Sequence, residues 1–269
     1  MKKYVLVLML LILSSTSLFA KSRTKIILEA SNTISFNQKF SMSYISKIQS
    51  EILEKNSNLE KGLPLYLVLN TPGGSVTAGN SLIDFIKALD REVHTITLFA
   101  ASMGYHVVQS LNTRYITNSG ELMSHRASIG GLSGQIEGEV EVRLNYVKRI
   151  VNLLDKNAAK RVGKTLSKYK NSIRDELWLV GQESVDKGHA DEVADVTCGS
   201  SLKGTRVQQM RTTFGNLNLE FSNCPLIRYP ISVKNKTKTI PMSRILDLYK
   251  KEKQDITFTL WLKNLVYRN

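Results

Sequence analysis

The chain has 269 residues, 42% of them hydrophobic and 7% aromatic, and it carries a formal net charge of +14. This composition supports a sizeable buried core, so it excludes a protein that is disordered over most of its length. The basic residues are not interleaved with aromatics and no zinc-finger spacing occurs, so we expect no nucleic-acid partner; the charge suits a solvated surface or contact with a membrane surface.

The first 20 residues have the pattern of a secretory signal peptide. Lys2 and Lys3 are followed by the apolar run YVLVLMLLIL, and Ala20 is a small residue suited to cleavage. Leu18, three residues before the expected cut, is larger than the residue usual there, so an uncleaved N-terminal anchor is the alternative. We therefore predict an exported protein, periplasmic or secreted, or held in the membrane by its uncleaved signal.

Strand-like and helix-like segments alternate from the end of the signal to about residue 200. The strand-like runs are KIILEA, LPLYLVLN, HTITLFA, TRYITN and ELMSH, and the helix-like ones are SMSYISKIQSEILEKN, AGNSLIDFIKAL and SMGYHVVQSL. Two of the runs, LPLYLVLN and HTITLFA, have the composition of strands buried on both faces of a parallel sheet. The alternation predicts an α/β fold with a parallel sheet.

A long helix follows these elements. Its apolar residues recur at steps of three and four and form one stripe, which consists of Val140, Leu144, Val147, Val151, Leu154 and Ala158. We expect this stripe to be buried against a neighbouring subunit as well as the core, so we predict a homo-oligomer. The later segment WLVGQESVDKGHADEV is predicted as a loop, a short helix and a final strand.

The sequence changes character after Cys198. We divide the chain into a signal at 1–20, a main domain at 21–198 and a basic extension at 199–269, whose fold the sequence does not reveal. Within the extension, ITFTLWL resembles a strand and PMSRILDLYKKEK a helix. The only two cysteines, Cys198 and Cys224, are either joined in an oxidising compartment or present as two free thiols.

Ser102 is a polar residue at the end of a buried strand-like run and at the start of a helix-like one. A strand-to-helix turn presents its residues at the carboxyl edge of the sheet, where sites form in α/β proteins. The amide of Met103 would then be free to face an oxyanion. The alternative is an ordinary N-cap serine that satisfies helix N–H groups.

Two further segments make the catalytic interpretation more specific. Gly73 and Gly74 form a turn in LNTPGGSVTAG after the preceding buried strand, and His125 follows a later strand in MSHRASIGGLSGQ. Alone, a Pro-Gly-Gly turn or a single His is usually structural. Together, in this order, a glycine turn, a strand ending in Ser and a strand ending in His are a much more specific signal than any one of them alone.

These motifs resemble those of the proteolytic subunit of the Clp protease, within the ClpP/crotonase superfamily. The segments LNTPGGSVTAG, AASMGYHV, MSHRASIGGLSGQ and WLVGQESVDKGHADEV are similar to the family's glycine turn, nucleophile turn, histidine segment and closing motif. The resemblance covers about residues 25–197 and implies repeated β-β-α units. The long striped helix would correspond to the family's handle, which joins rings back to back.

The resemblance implies a serine endopeptidase acting on peptides or unfolded proteins. Ser102 would be the nucleophile and His125 the general base. The amides of Gly74 and Met103 would form the oxyanion hole. The glycine loop at Gly130 and Gly131 would bind an extended substrate strand by β-augmentation.

The third member of the triad is less clearly marked. The family's Asp corresponds in spacing to Glu176, counted from both Trp178 and Gly188, whereas residue type favours Asp175. Neighbouring strand residues point to opposite faces, so we expect only one of them to orient His125, and spacing favours Glu176. His106, four residues after Ser102, is a rival base that we interpret as a core or rim residue.

The apparent export signal departs from the family, whose typical members are cytosolic and supplied by an ATP-driven unfoldase. We therefore expect ATP-independent cleavage and no such unfoldase partner. Two alternatives are a catalytically degenerate scaffold or binding protein at the cell envelope and a membrane protease with a Ser–Lys dyad. No cofactor or metal is expected, because the four His and two Cys lack ligand spacing.

Overall fold

The computed structural model describes residues 23–128, 135–212 and 215–235. The predicted signal, the loop glycines Gly130 and Gly131, and the strand and helix predicted in the tail lie outside these residues.

The described residues form eleven strands and six α-helices. The strands are β1 (Lys25–Leu28), β2 (Thr33–Phe36), β3 (Leu65–Thr71), β4 (Val93–Ala101), β5 (Arg114–Ser124), β6 (Leu177–Val180), β7 (Glu192–Val193), β8 (Asp195–Cys198), β9 (Thr205–Thr212), β10 (Gly215–Ser222) and β11 (Ser232–Asn235). The helices are α1 (Met42–Asn58), α2 (Val76–Lys87), α3 (Met103–Ser110), α4 (Glu141–Arg161), α5 (Leu166–Ser172) and α6 (Gly181–Asp186). A π-helical turn, Ile136–Val140, leads into α4.

The central sheet has the order β2-β3-β4-β5-β6, with β7 added beside β5. All of its pairs are parallel except β5 with β6. This is the mainly parallel α/β sheet that the alternating elements predict. Two details of the prediction are wrong: TRYITN and ELMSH belong to one continuous strand, β5, and WLV lies in strand β6 rather than in a loop.

The strands β3 and β4 have apolar side chains on both faces of the sheet. Both faces are therefore covered by other elements. Leu65, Leu67 and Leu69 of β3 join the main core with the helices, whereas Val68 joins a second cluster on the opposite face. This second face is covered by β1 and β8, which pair in parallel, and by the start of the extension. The carboxyl ends of β3, β4 and β5 therefore lie at one edge of a sheet that is held from both sides.

The extension packs onto this second face of the sheet. Its strands β9, β10 and β11 form an antiparallel sheet, and Leu226 lies against the second cluster. Arg228 donates a hydrogen bond to the carbonyl oxygen of Leu98 at 2.7 Å. A disulfide joins Cys198 to Cys224 across 26 residues, and a loop of that size contributes about 3 kcal/mol.

The apolar stripe of α4 is unevenly buried. Leu154 and Ala158 lie in the main core, whereas Leu144, Val147 and Val151 are only partly covered. The N-terminal half of the helix therefore presents a half-open apolar stripe. Among the helices within the described ranges, none is both long and apolar enough to cross a bilayer.

Candidate active site

Ser102 occupies a sharp turn between β4 and α3. Its backbone has φ 55° and ψ −116°, in a region that costs a non-glycine residue about 1–3 kcal/mol. The Ser102 N–H donates to the carbonyl oxygen of Met123 on β5 at 2.9 Å, which fixes the turn to the neighbouring strand. The hydroxyl makes no capping hydrogen bond to α3, so the N-cap interpretation does not describe this serine.

His125 directly follows β5 at the same edge of the sheet. Its Nε2 lies 2.8 Å from Oγ of Ser102, so in the tautomer with an unprotonated Nε2 the hydroxyl donates to the ring. The parallel pairing of Ala101 with Met123 sets this arrangement, because each side chain lies just beyond the end of its strand. The two groups therefore have the contact that a serine nucleophile and its base require.

The glycine turn after β3 packs directly under the nucleophile. Gly73 has φ 94°, and a Cβ atom on it would lie 2.6 Å from Cβ of Ser102 and 3.0 Å from the nitrogen of Met103. Gly74 has φ 139°, and a Cβ there would lie 2.8 Å from the backbone nitrogen and oxygen of Phe40. A side chain at either position would displace the backbone that supports Ser102.

The turn itself is tied down by backbone hydrogen bonds. Phe40 donates to the carbonyl oxygen of Gly73 at 2.9 Å, and the N–H of Ser75 donates to the carbonyl oxygen of Phe40 at 3.0 Å. Within the described part of the chain, the N–H groups of Gly74 and Met103 donate no hydrogen bond. Two amides near the nucleophile thus keep their donor capacity.

His106 lies one helical turn after Ser102, and its Nδ1 is buried with no partner among the described residues. Burial, with a smaller effect of the neighbouring His125, lowers the pKa of His106 to about 4. The ring is therefore neutral near pH 7. The hydroxyl of Ser102 contacts His125. The described hydrogen bond between His106 and Ser102 is a backbone one, in which the His106 N–H donates to the Ser102 carbonyl oxygen at 3.3 Å, so it does not involve the imidazole.

A buried polar network behind the site was not predicted from the sequence. Oγ of Ser124, next to the base, lies 2.9 Å from the hydroxyl of Tyr169 on α5. The hydroxyl of Tyr105 lies 2.8 Å from Nδ1 of His189, and burial lowers the pKa of His189 to about 4. Nothing in the local sequence pattern links these residues, because they meet only through the packing of α3, α5 and the segment after α6.

The two candidate carboxylates lie in a turn between α5 and β6, not in a strand. Asp175 pairs with Arg174 at 2.8 Å, its side chain is 75% exposed, and hydrogen bonding to Arg174 lowers its pKa. Glu176 has φ 71°, and its Oε2 accepts from Nε1 of Trp178 at 2.9 Å. In the described structure neither carboxylate bonds to His125. The expectation that strand alternation separates the two residues is therefore wrong.

The register of β5 and β6 nevertheless relates Glu176 to His125. Ser124 pairs with Leu177 at the end of this antiparallel ladder, so the next pair in the same register would be His125 with Glu176. Cross-strand neighbours of an antiparallel pair have side chains on the same face. Continued one step past the ladder, this register places Glu176 opposite the base and Asp175 one position out of register.

Two other parts of the predicted site have different outcomes. The substrate-binding role of Gly130 and Gly131 stays a prediction, because both lie outside the described residues. In residues 23–128, 135–212 and 215–235, no group of three or more His, Cys, Asp or Glu side chains is placed to hold a metal ion.

Comparisons with known proteins point to one family. The Clp protease family profile matches residues 20–197. The ATP-dependent Clp protease proteolytic subunit of Streptococcus sanguinis (strain SK36) is 30% identical over 134 residues, which cover 49% of this chain and 68% of the relative. The protein of the same description from Streptococcus pneumoniae (strain Hungary19A-6) is 30% identical over 132 residues, or 48% and 67% of the two chains.

Proposed function

Because this chain belongs to the Clp protease family, a family of peptide-cleaving hydrolases, we propose that it is a serine endopeptidase. Ser102 is the proposed nucleophile and His125 the proposed general base. The observation that carries this proposal is the 2.8 Å contact between Oγ of Ser102 and Nε2 of His125 at the carboxyl edge of the sheet.

In the proposed reaction, His125 accepts the hydroxyl proton as Oγ of Ser102 attacks the scissile carbonyl carbon. The carbonyl oxygen becomes an oxyanion, to which the amides of Gly74 and Met103 donate hydrogen bonds. His125 then returns the proton to the leaving amine, and water hydrolyses the acyl-enzyme with His125 again as the base. The free N–H groups beside Ser102 support this assignment of the oxyanion hole.

We assign the orienting role to Glu176, with Asp175 as the alternative. The β5–β6 register supports Glu176, because it lies opposite His125 one step beyond the ladder. In this role its carboxylate exchanges Nε1 of Trp178 for Nδ1–H of His125. Asp175 would have to leave Arg174, and it lies one position out of the β5–β6 register.

The proposed assembly is a homo-oligomer, as is usual for this family, whose members form oligomers and act on peptide substrates. The half-covered stripe on the N-terminal half of α4 supports the proposal, because apolar side chains at Leu144, Val147 and Val151 would be buried by a neighbouring subunit. A substrate strand would lie along Gly130 and Gly131.

The proposed location is the periplasm or the cell exterior, with ATP-independent cleavage of peptides or unfolded chains. The N-terminal pattern of Lys2, Lys3 and an apolar run supports export. The bond between Cys198 and Cys224 is consistent with an oxidising compartment. Compartments of this kind lack ATP, so the proposal includes no ATP-driven unfoldase.

A second candidate function is a catalytically degenerate scaffold at the cell envelope. The observation that favours it is the pairing of Asp175 with Arg174 and of Glu176 with Trp178, so that neither carboxylate orients His125 in the described structure. Such a protein would fold and assemble but would not depend on Ser102.

Hydrolysis of an unfolded, fluorescein-labelled casein by the purified chain, without nucleotide, distinguishes the two functions. The serine peptidase predicts turnover that Ser102→Ala and His125→Ala each reduce by about 10⁶-fold while melting temperature and oligomer size are unchanged. Turnover that persists in the folded Ser102→Ala variant, or no turnover in folded wild type, would contradict it.

A further inference from the structure

The strand that ends at Ser102 contains an irregularity at Leu98. In the pairing of β4 with β3, two consecutive residues of β3 lie opposite Thr97 and Phe99, so Leu98 has no opposite residue. The pairing of β4 with β5 passes from Thr97 to Phe99 in the same way. Leu98 is therefore an extra residue in β4 with respect to both neighbours, which makes it a β-bulge.

The bulge determines which face of the sheet the end of β4 presents. Leu98 lies in the second apolar cluster, whereas Ala100 lies in the main core on the opposite face. In a regular strand, residues two apart share a face. The alternation has thus shifted by one position, and without this shift Ala100 and the residues after it would point the other way. The direction in which Ser102 leaves the sheet depends on the bulge.

The carbonyl groups at the bulge accept hydrogen bonds from side chains. A bulge disrupts the ladder locally, and buried carbonyl groups there need other donors. Oγ1 of Thr117 on β5 donates to the carbonyl oxygen of Thr97 at 3.4 Å. Gly120 lies against the same oxygen, and a Cβ atom on it would collide there. Nη2 of Arg228 donates to the carbonyl oxygen of Leu98 at 2.7 Å. The bulge is therefore held by β5 and by the extension.

Arg228 is well suited to this contact. Its side chain is partly buried and lines a narrow cleft together with Asn70 of β3 and Phe221 of β10. In the part of the chain that the structure describes, Arg228 forms no ion pair, so no carboxylate competes for its guanidinium. A hydrogen bond from a charged donor is stronger than a neutral one. The contact joins residues 130 positions apart, so it depends on how the extension packs.

The segment that carries Arg228 is attached firmly to the main domain. The disulfide joins Cys224, four residues before Arg228, to Cys198 at the end of β8. Between them and the arginine, Pro225 is buried and Leu226 packs against the second cluster. The position of the guanidinium relative to β4 therefore depends on the disulfide.

We propose that Arg228 is a positioning residue for Ser102 and that the disulfide keeps it in place, an inference that rests on the proposed peptidase function. The contacts run from the guanidinium to the bulge carbonyl, through the last three residues of β4, to the Ser102 turn. Loss of the guanidinium leaves the carbonyl of Leu98 without this donor, which favours a shifted β4 and moves Oγ of Ser102 away from His125. The family profile ends at residue 197, so this support comes from outside the matched region.

Steady-state kinetics on one peptide substrate tests the positioning role. Arg228→Met removes the donor but keeps an apolar side chain of similar length, and kcat should fall about 10- to 100-fold, because small displacements of a nucleophile are costly. KM should change less than about twofold, since no substrate contact is altered. Arg228→Lys retains a cationic donor, and its kcat should lie within about threefold of wild type.

The matched control is the same substitution at another arginine of the extension. The guanidinium of Arg206 lies over the ring of Phe221 and donates to the carbonyl oxygen of Ser222, so both of these contacts are within the extension. Arg206→Met should keep the kcat and KM of wild type. Equal losses of kcat in Arg206→Met and Arg228→Met would overturn the inference.

The role of the disulfide is tested by reduction in the same assay, below the melting temperature of the reduced protein. Reduction should lower the kcat of wild type at least about threefold and leave that of Arg228→Met unchanged, because the two changes remove one support. Losses that multiply in the reduced variant, or a wild type that reduction does not affect, would contradict the role assigned to the disulfide.

Hydrogen exchange followed by mass spectrometry tests positioning apart from cleavage. The Ser102 N–H donates to the carbonyl oxygen of Met123, so exchange of this amide reports on the turn directly. In Arg228→Met, peptides that span the end of β4 and the turn should exchange at least about fivefold faster than in wild type, and in Arg206→Met they should not.

Unchanged exchange in Arg228→Met, or unchanged kcat in this variant of an active protein, would overturn the inference. Faster exchange at the turn in a protein whose wild type cleaves no peptide would support the link between Arg228 and the turn and contradict the proposed function instead.

Discussion

The two sides of the candidate site are held in different ways. Ser102 and His125 each follow a central strand directly, and the pairing of β4 with β5 fixes the distance between them. Asp175 and Glu176 lie in a turn between a short helix and a four-residue strand, and both carboxylates bond to neighbours in sequence. A rigid sheet edge thus positions the nucleophile and base, whereas the carboxylate side is free to adopt another arrangement.

This difference has a physical cause. The Ser102 turn stores backbone strain that only well-packed surroundings can maintain, and Gly73, Met123 and the core beneath α3 provide those surroundings. The turn at Asp175 is exposed and its ion pair with Arg174 joins adjacent residues, so it contributes little rigidity. Changes in the glycine turn that supports Ser102 should therefore alter both stability and chemistry, whereas changes at Asp175 or Glu176 should alter chemistry alone.

The largest expected effect is on kcat, and it distinguishes the two carboxylates through a pair of isosteric substitutions. Glu176→Gln should lower kcat by about 10²–10⁴-fold, because the base loses the carboxylate that orients and stabilises its charged form. Asp175→Asn should lower it by less than about threefold, since an exposed ion pair contributes little. Steady-state kinetics on one peptide measures both.

A third variant tests the proposed exchange of partners by Glu176. Trp178→Phe removes the indole N–H that holds the carboxylate, so it should leave kcat unchanged or raise it. If Asp175→Asn is the more damaging change, the triad uses Asp175; if neither matters, His125 acts without a carboxylate.

The next effect is at the glycine turn. Gly73→Ala should lower kcat by about 10²–10³-fold, because its Cβ would displace Ser102 and the adjacent amides of the oxyanion hole. Gly62→Ala is the matched control: Gly62 also has a positive φ, 87°, but a Cβ there meets nothing within 4 Å. The control should lose about 1 kcal/mol of stability and keep its activity. Equal kinetic effects of the two substitutions would contradict this account.

The smallest expected effect is on the stability of the fold at acid pH, and it comes from His106, which lies behind the nucleophile. Because burial lowers the pKa of His106 to about 4, the unfolded chain binds a proton on this residue between about pH 6.5 and 4 and the folded chain does not. Stability should therefore fall as the pH drops through this window, by at most about 3 kcal/mol from this residue. His106→Phe should melt like wild type at pH 7.

The melting temperature should also decline less in His106→Phe than in wild type between pH 6.5 and 4.5. Part of the decline should remain in the variant, because burial also lowers the pKa of His189. Parallel melting curves of the two proteins over this range would contradict the assignment to His106.

Much of the rigid side could be predicted from the sequence. Strands buried on both faces have recognisable apolar runs, and the residues after them, Ser102 and His125, follow from the order of the elements. The sequence predicts two strands where the structure has the single strand β5, because the polar residues near Gly120 resemble a turn between two strands.

The carboxylate side could not be predicted in the same way. Spacing and residue type disagreed between Asp175 and Glu176, and the sequence gives no sign of the positive φ at Glu176. The network of Ser124, Tyr169 and Tyr105 depends on contacts between distant segments, and no local pattern encodes such contacts. The cover that the extension forms over the sheet was missed for the same reason.

The most direct test of the central claim is labelling of the purified chain with a fluorophosphonate probe, which reacts with activated serines. We predict covalent labelling of wild type at Ser102, identified by mass spectrometry of the modified peptide, and no labelling of folded Ser102→Ala or His125→Ala. Glu176→Gln should label slowly. Labelling that persists in folded His125→Ala, or none in a folded, oligomeric wild type, would contradict an activated Ser102–His125 pair.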